Sequence, residues 1–243
     1  VDVQLTRKKK QYAEGRVVRF HTFSKRREEP FCSHYGICGG CQWQLLPYED
    51  QLRFKQKQVY DTLTRIGKVT LPPFVQEGTE DVLARQTETP DYSNEGFYPI
   101  FGSARTRFYR NKLEYTFSDK RWLTSEEIAS GFQPEYRNAL GFHIPGMFDK
   151  VLDIERCWLQ DDLTNQIRLS VRSFCRENDY PFFHLRDQEG LMRNMILRNT
   201  VQGEWMVIVV FYKNEPEKIK ALMEHIASDF QQIKSLLYII NEK

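Results

Sequence analysis

"CSHYGICGGC", residues 32–41, gathers three of the chain's five cysteines into ten positions. The pattern is Cys32-x5-Cys38-Gly39-Gly40-Cys41. Two thiolates separated by two residues can chelate one centre from a single tight turn. Gly39 and Gly40 predict positive φ in that turn, with backbone N–H groups facing sulfur. Three clustered cysteines plus a distant one are a common way to hold an iron–sulfur cluster. Structural zinc more often uses two separated Cys-x2-Cys knuckles or Cys and His pairs.

A fourth ligand must come from Cys157 or Cys175. Cys175 shares a helical face with Ile167, Val171 and Phe174 and reads as a buried structural thiol. Cys157, in "DIERCWLQ" (153–160), stands between a strand and a helix, free to turn toward a site, and is the better fourth ligand. His34 is a rival ligand for zinc, although a hydrogen-bonded loop histidine is the preferred reading. A disulfide plus one free thiol is a further alternative, disfavoured in a reducing compartment.

The totals set bounds on the rest. At 243 residues the chain can bury a real core without disulfide staples. No stretch approaches the ~20 apolar residues of a membrane span, and the amino end has no signal-peptide core. Five cysteines, odd in number and unevenly spread, make a poor secreted framework, so a cytoplasmic setting is expected. Net charge is only +2, but residues 1–31 hold nine basic side chains against four acidic ones. A basic front end of that kind attracts polyanions, or else forms a solvated face.

The element pattern is α+β. Residues 11–20 read as strand or hairpin. Residues 47–67 read as a helix, with Pro47, Glu49 and Asp50 in its first turn, Gly67 at its end, and an apolar stripe of Tyr48, Leu52, Val59, Leu63 and Ile66. Residues 71–104 form a loop or tether, 106–118 a strand, and 139–154 a hairpin around Pro145-Gly146. A helix over 161–178, two strands joined near Gly203, a helix over 215–229 and a last strand complete the order. Alternation in "RFYRNKLEY" (107–115) sets Arg107, Tyr109, Asn111 and Leu113 opposite Phe108, Arg110, Lys112 and Glu114. Such a strand offers cations to phosphates and an aromatic ring to an unpaired base. Asp149 and Asp153 are expected as polar residues of the hairpin facing RNA. Trp43, Trp122, Trp158 and Trp205 are expected in the core or shielding the cysteine site.

"CSHYGICGGCQWQLLPYEDQLRFKQ" (32–56) closely resembles the iron–sulfur segment of bacterial RNA uracil-5-methyltransferases that act on large-subunit ribosomal RNA. "FYRNKLEYTFS" (108–118), "LGFHIPGMFDKVLDIERCWLQ" (140–160) and "GLMRNMILRNTVQGEWMVIV" (190–209) fit the same family. The resemblance implies a [4Fe–4S] cluster on Cys32, Cys38, Cys41 and Cys157. It implies an α+β central domain with a mainly antiparallel sheet and packed helices, preceded by the remnant of a small TRAM-like β-barrel. The expected divisions are 1–30 for the barrel remnant, 31–46 for the cluster loop, 47–70 for a helix, 71–104 for the tether and 105–243 for the central domain.

In such enzymes a cysteine adds to uracil C6, C5 attacks the methyl group of S-adenosylmethionine, and a base then removes the C5 proton. The nucleophile, the base and a Gly-rich cofactor turn are all expected beyond Lys243, so no catalytic residue is assigned. The chain is read as a fragment: it opens on Val1 and closes directly after a strand that reads as buried. Expected RNA contacts are Arg110, Asn111, Lys112, Lys9 and Lys10. The implied partner is large-subunit ribosomal RNA, bound by a monomer without a membrane. Alternatives are a zinc- or cluster-stabilised RNA-binding module without transferase activity, a transfer-RNA uracil-5-methyltransferase fragment, and a ferredoxin-like electron carrier. The basic amino end disfavours the carrier.

Overall fold

A computed structural model describes residues 1–72 and 97–243. The chain divides into two compact units. One comprises Val1–Phe31 with Trp43–Gly102, and the other comprises Cys32–Gln42 with Ser103–Lys243. The cysteine loop therefore packs with the later residues. Among the described residues, no helix is long and apolar enough to cross a membrane. Most of the expected 71–104 tether lies outside the described residues.

The first unit carries an antiparallel pair, β1 (Asp2–Lys8) and β2 (Ala13–Arg19), with every residue exposed. Helix α1 (Tyr48–Asp61) follows and runs into a π-helical turn over Thr62–Ile66. The expected apolar stripe does not form a core face. Leu52 is buried, but Val59 and Ile66 are 50% and 79% exposed. The other buried position of α1 is Asp50, which pairs with Arg26 and, at 2.9 Å, with Arg53. The periodicity was real, but too little surrounds this helix among the described residues to cover it.

The second unit is built on a six-stranded sheet. Its strands are β3 (Lys112–Ser118), β4 (Ala139–Ile144), β5 (Met147–Asp153), β6 (Met192–Asn199), β7 (Trp205–Phe211) and β8 (Ile233–Ile240). They lie in the order β5-β4-β3-β6-β7-β8, and every pairing is antiparallel except β7 with β8. Three helices accompany the sheet: short α2 (Ser125–Ala129), α3 (Leu163–Glu177) and α4 (Pro216–Asp229). A capping box of Thr124 and Glu127 starts α2. The hairpin turns at Gly146, whose φ of +77° suits glycine.

Alternation decides which sheet face is covered. Leu113, Tyr115 and Phe117 of β3 point inward with Met195 and Leu197 of β6 and Val207, Val209 and Phe211 of β7. Ile167, Val171 and Cys175 of α3, and Ile219, Leu222 and Ile226 of α4, close over them. Each such side chain contributes about 2 kcal/mol of burial. The opposite face of β3 and β6 shows Lys112, Glu114 and Arg198 to solvent. Strand β8 lies at the sheet edge with Leu237, Tyr238 and Ile239 exposed, so it is not the buried strand expected.

Two corrections concern the hairpin and the strand before it. Regular structure in 106–118 begins only at Lys112, and Phe108 takes a left-handed φ of +55°, which breaks the alternation expected over 107–111. Its backbone pairs elsewhere: the Phe108 N–H donates to Trp158 O and the Arg110 N–H to Leu159 O, both at 2.8 Å. Asp153 does not face RNA. It is buried, accepts the Leu140 N–H at 3.0 Å, and pairs with Arg172 at 2.8 Å and Arg176 at 2.9 Å. Asp149, its side chain only 10% exposed, pairs with Arg186 at 2.7 Å.

Burial alone would push the Asp153 carboxyl up, but Arg172, the Leu140 N–H and Arg176 together hold it below the usual carboxylate range. A depressed carboxyl contributes stability above its unfolded value near pH 4 and loses it as pH falls through the folded value. Asp153→Asn should therefore destabilise the protein by about 3 kcal/mol at pH 7, since it strands buried cations. It should also remove part of the acid sensitivity below about pH 4. Urea titrations at pH 7 and pH 3.5 check both.

Candidate functional site

The loop over 32–41 is folded by its own backbone. Tyr35 N–H donates to Cys32 O at 3.0 Å, and Cys38 N–H donates to His34 O at 2.9 Å. The positive φ falls on Gly36, at +85°, rather than on Gly39 or Gly40 as expected. Gly39 is needed for another reason: a Cβ there would stand 3.0 Å from the His143 carbonyl. Gly40 keeps its expected role in part, because its N–H donates to Cys38 Sγ at 3.4 Å. Ile37, Cys38 and Cys41 pack against the main core cluster, which also contains Cys157.

All five cysteines are free thiols, so the disulfide alternative is not realised. Cys32, Cys38, Cys41 and Cys157 lie within electrostatic reach of one another. Burial pushes the Cys38 thiol up to about 11 against the opposing Gly40 N–H, and Cys157, Cys41 and Cys32 each add to the rise. Burial also raises Cys32, with Cys41 adding to it. Cys157 is raised by burial, by Cys41 and by Cys32, while the Leu159 N–H and Arg168 oppose. Cys175 is fully buried and raised by burial alone, so it stands apart as expected.

Among the described residues, no three His, Cys, Asp or Glu side chains are gathered tightly enough to hold a single metal ion. One zinc would need sulfurs about 2.3 Å from a common centre. A cluster that gives each thiolate its own iron suits a wider spacing.

Cys157 is fixed from both sides. Its N–H donates to Asn165 Oδ1 at 2.8 Å, and Asn165 Nδ2 donates back to the Cys157 carbonyl at 3.0 Å. His34 behaves as a hydrogen-bonded loop histidine: its Nε2 accepts the Glu155 N–H at 2.9 Å across 121 positions of sequence. Burial holds His34 below its ordinary range. The His34 bond ties the 32–41 loop to residue 155, and the Asn165 pair holds Cys157 two residues further on.

Beneath them, α3 presents a row of arginines that the apolar-stripe reading missed. Arg168 is completely buried and donates to the Ile154 carbonyl, and to the Glu155 carbonyl at 3.1 Å. Arg172 spans Asp153 and Glu155, and Arg176 takes Asp153 and Asn138. The signal was present in the spacing: Arg168, Arg172 and Arg176 recur every fourth residue, which puts them on one face.

The expected RNA contacts are all exposed. Arg110, Asn111 and Lys112 lie together, with Lys112 opposite Arg198 in the β3–β6 register. Lys9 and Lys10 belong to the other unit. Trp158 is half-buried beside Cys157, with its ring 4.1 Å from the Arg156 guanidinium carbon and 5.3 Å from that of Arg107. Trp205 is core, whereas Trp43 is 37% exposed and so is not core.

No family model matches the chain. Curated relatives do. A protein of Bacteroides thetaiotaomicron named as an uncharacterized RNA methyltransferase is 52% identical over the whole chain, which covers 49% of that relative. One of the same name from Porphyromonas gingivalis is 47% identical over 99% of the chain and is covered to 48%. A third, from Chlorobaculum tepidum, is 33% identical over 86% of the chain. The chain thus spans about half the length of the curated relatives it matches. Among solved structures, the Pyrococcus abyssi tRNA (uracil-54, C5)-methyltransferase in complex with S-adenosyl-L-homocysteine shares the fold, with a TM-score of 0.56 at 19% identity over 99% of this chain and 44% of that one.

Asn165→Ala would leave the buried Cys157 N–H and carbonyl without partners. It should cost about 3 kcal/mol, measured by urea unfolding; a loss below about 1 kcal/mol would show that the clamp is not needed.

Proposed function

We propose that the chain is the RNA-recognition and [4Fe–4S]-binding portion of an S-adenosylmethionine-dependent RNA (uracil-5-)methyltransferase of the large-subunit ribosomal type. The observation that carries the reading is that Cys38 and Cys41, from a loop that also holds Cys32, pack on the same core cluster as Cys157, 116 positions beyond the last of them, in a chain whose relatives are named RNA methyltransferases. The solved neighbour's uracil substrate and S-adenosyl-L-homocysteine support the base and the methyl donor.

Cys32, Cys38, Cys41 and Cys157 would hold the cluster, with the Gly40 N–H and the Asn165 clamp fixing two of them. When bound, the cluster supplies a cross-link between distant segments, which is a structural contribution. Its fit is supported by an all-thiol donor set. Arg110, Asn111 and Lys112 bind the phosphates of an unpaired RNA segment, and Lys9 and Lys10 add long-range attraction. Residues 1–30 are read as part of a TRAM-like barrel. Within residues 1–243 the roles are binding and orientation; the nucleophilic cysteine, the base and the cofactor turn are sought elsewhere in the whole enzyme.

Anaerobic purification tests the cluster. The expected product is brown, absorbs broadly in the visible and carries about four irons per chain, whereas a colourless protein with one zinc overturns the reading. For RNA, Arg110→Ala should weaken binding of a large-subunit ribosomal RNA fragment and lower the salt slope by about 0.7, one single-strand phosphate contact. An unchanged slope removes Arg110, and tighter binding to transfer RNA redirects the substrate. Measurable S-adenosylmethionine binding by residues 1–243 alone would contradict the division of roles.

A further inference from the structure

The charges around residues 153–157 do not balance. Asp153 is shared by Arg172 and Arg176, and Glu155, largely exposed, takes Arg172 as well. Arg168 is left over. It is completely buried, yet its hydrogen bonds go only to neutral groups: the Ile154 and Glu155 carbonyls, and Asn165 Oδ1 at 3.4 Å. Among the described residues, no carboxylate lies within ion-pair distance of it. Its guanidinium carbon stands 5.3 Å from the Tyr115 ring centre, a weak compensation. An arginine does not shed its proton, so a full positive charge sits in the interior. Left unpaired, that charge is strongly destabilising.

What lies beside it is the cysteine site. Arg168 acts electrostatically on Cys157 and on His34, and Asn165 joins it to the Cys157 backbone by direct hydrogen bonds. Four thiolates around an iron–sulfur core carry net negative charge, and Cys157, the one nearest Asn165, is buried while the other three are half-buried. A buried cation and a partly buried anion at one site each supply what the other lacks. We infer that Arg168 is the built-in counter-charge of the cluster, a positioning and tuning residue that stabilises its anionic state and raises its reduction potential. The inference rests on the cluster reading above and assigns no catalytic step to Arg168.

Two variants separate charge from hydrogen bonding. Arg168→Gln removes the charge and keeps an amide donor; Arg168→Lys keeps the charge and loses the planar fork. In the reconstituted protein under argon, two quantities are read: the midpoint potential by spectroelectrochemical titration, and the rate of iron release to a chelator. Arg168→Gln should shift the potential to more negative values and release iron about tenfold faster, while Arg168→Lys stays near the parent protein. The unfolding midpoints of cluster-loaded and cluster-free protein form a cycle. Lost carbonyl bonds cost the same in both and cancel, so the gain in stability on loading should shrink in Arg168→Gln alone.

A potential and release rate unchanged in Arg168→Gln overturn the inference, and so does an equal shift in both variants, which would mark a packing role. A parent protein that takes up no cluster fails at the earlier step and overturns the reading beneath it. The two failures are therefore distinguishable.

Discussion

Asp153, at the end of β5, is the buried anion around which the site-bearing half of the molecule is arranged. It accepts the Leu140 N–H across the hairpin and takes two arginines from α3, so one side chain binds a strand pair to the helix above it. A carboxylate in such a place is tolerated only when its lone pairs and its charge are met. Meeting them fixes the axial position of α3. That in turn aligns Asn165 with the Cys157 backbone and Arg168 with the Ile154 and Glu155 carbonyls. The turn holding the distant cysteine is thereby presented as a rigid object.

The cysteine loop approaches that object with few contacts of its own. Ile37, Cys38 and Cys41 rest on the core, Gly39 passes close to the His143 carbonyl, and His34 reaches the Glu155 N–H. The same short stretch faces outward as well as inward. Trp158 and Leu159, directly after Cys157, accept the backbone N–H groups of Phe108 and Arg110. One strip of chain thus supports both the thiol site and the basic segment leading into β3. A structural role for an inorganic centre at this point is physically sensible, because anything that stiffens residues 155–159 also stiffens residues 107–112.

Much of the architecture was legible along the chain. Strict alternation around Leu113, Tyr115 and Phe117, helical spacing at Ile167, Val171 and Cys175, and a Pro-Gly turn at 145–146 each follow from local geometry. The cysteines were legible as candidates for a similar reason, since spacing and residue type suggest metal chemistry on their own. Reading failed where an outcome depended on what a segment packs against. Val59 and Ile66 have helical periodicity but no partner surface among the described residues, and the alternation of 107–111 yields to hydrogen bonds with Trp158 and Leu159.

The sequence by itself determined the α+β order of elements, the candidacy of Cys157 over Cys175, and a basic aromatic segment before β3. Those properties are written in intervals between neighbouring residues. Only the tertiary structure decided that Asp153 is buried, that His34 serves as a hydrogen-bond acceptor, and that Arg168 is buried on the Ile154 and Glu155 carbonyls with no carboxylate at ion-pair distance among the described residues. A charge's environment is set by chain far away in sequence, and the cost of leaving water is offset only once that chain has arrived.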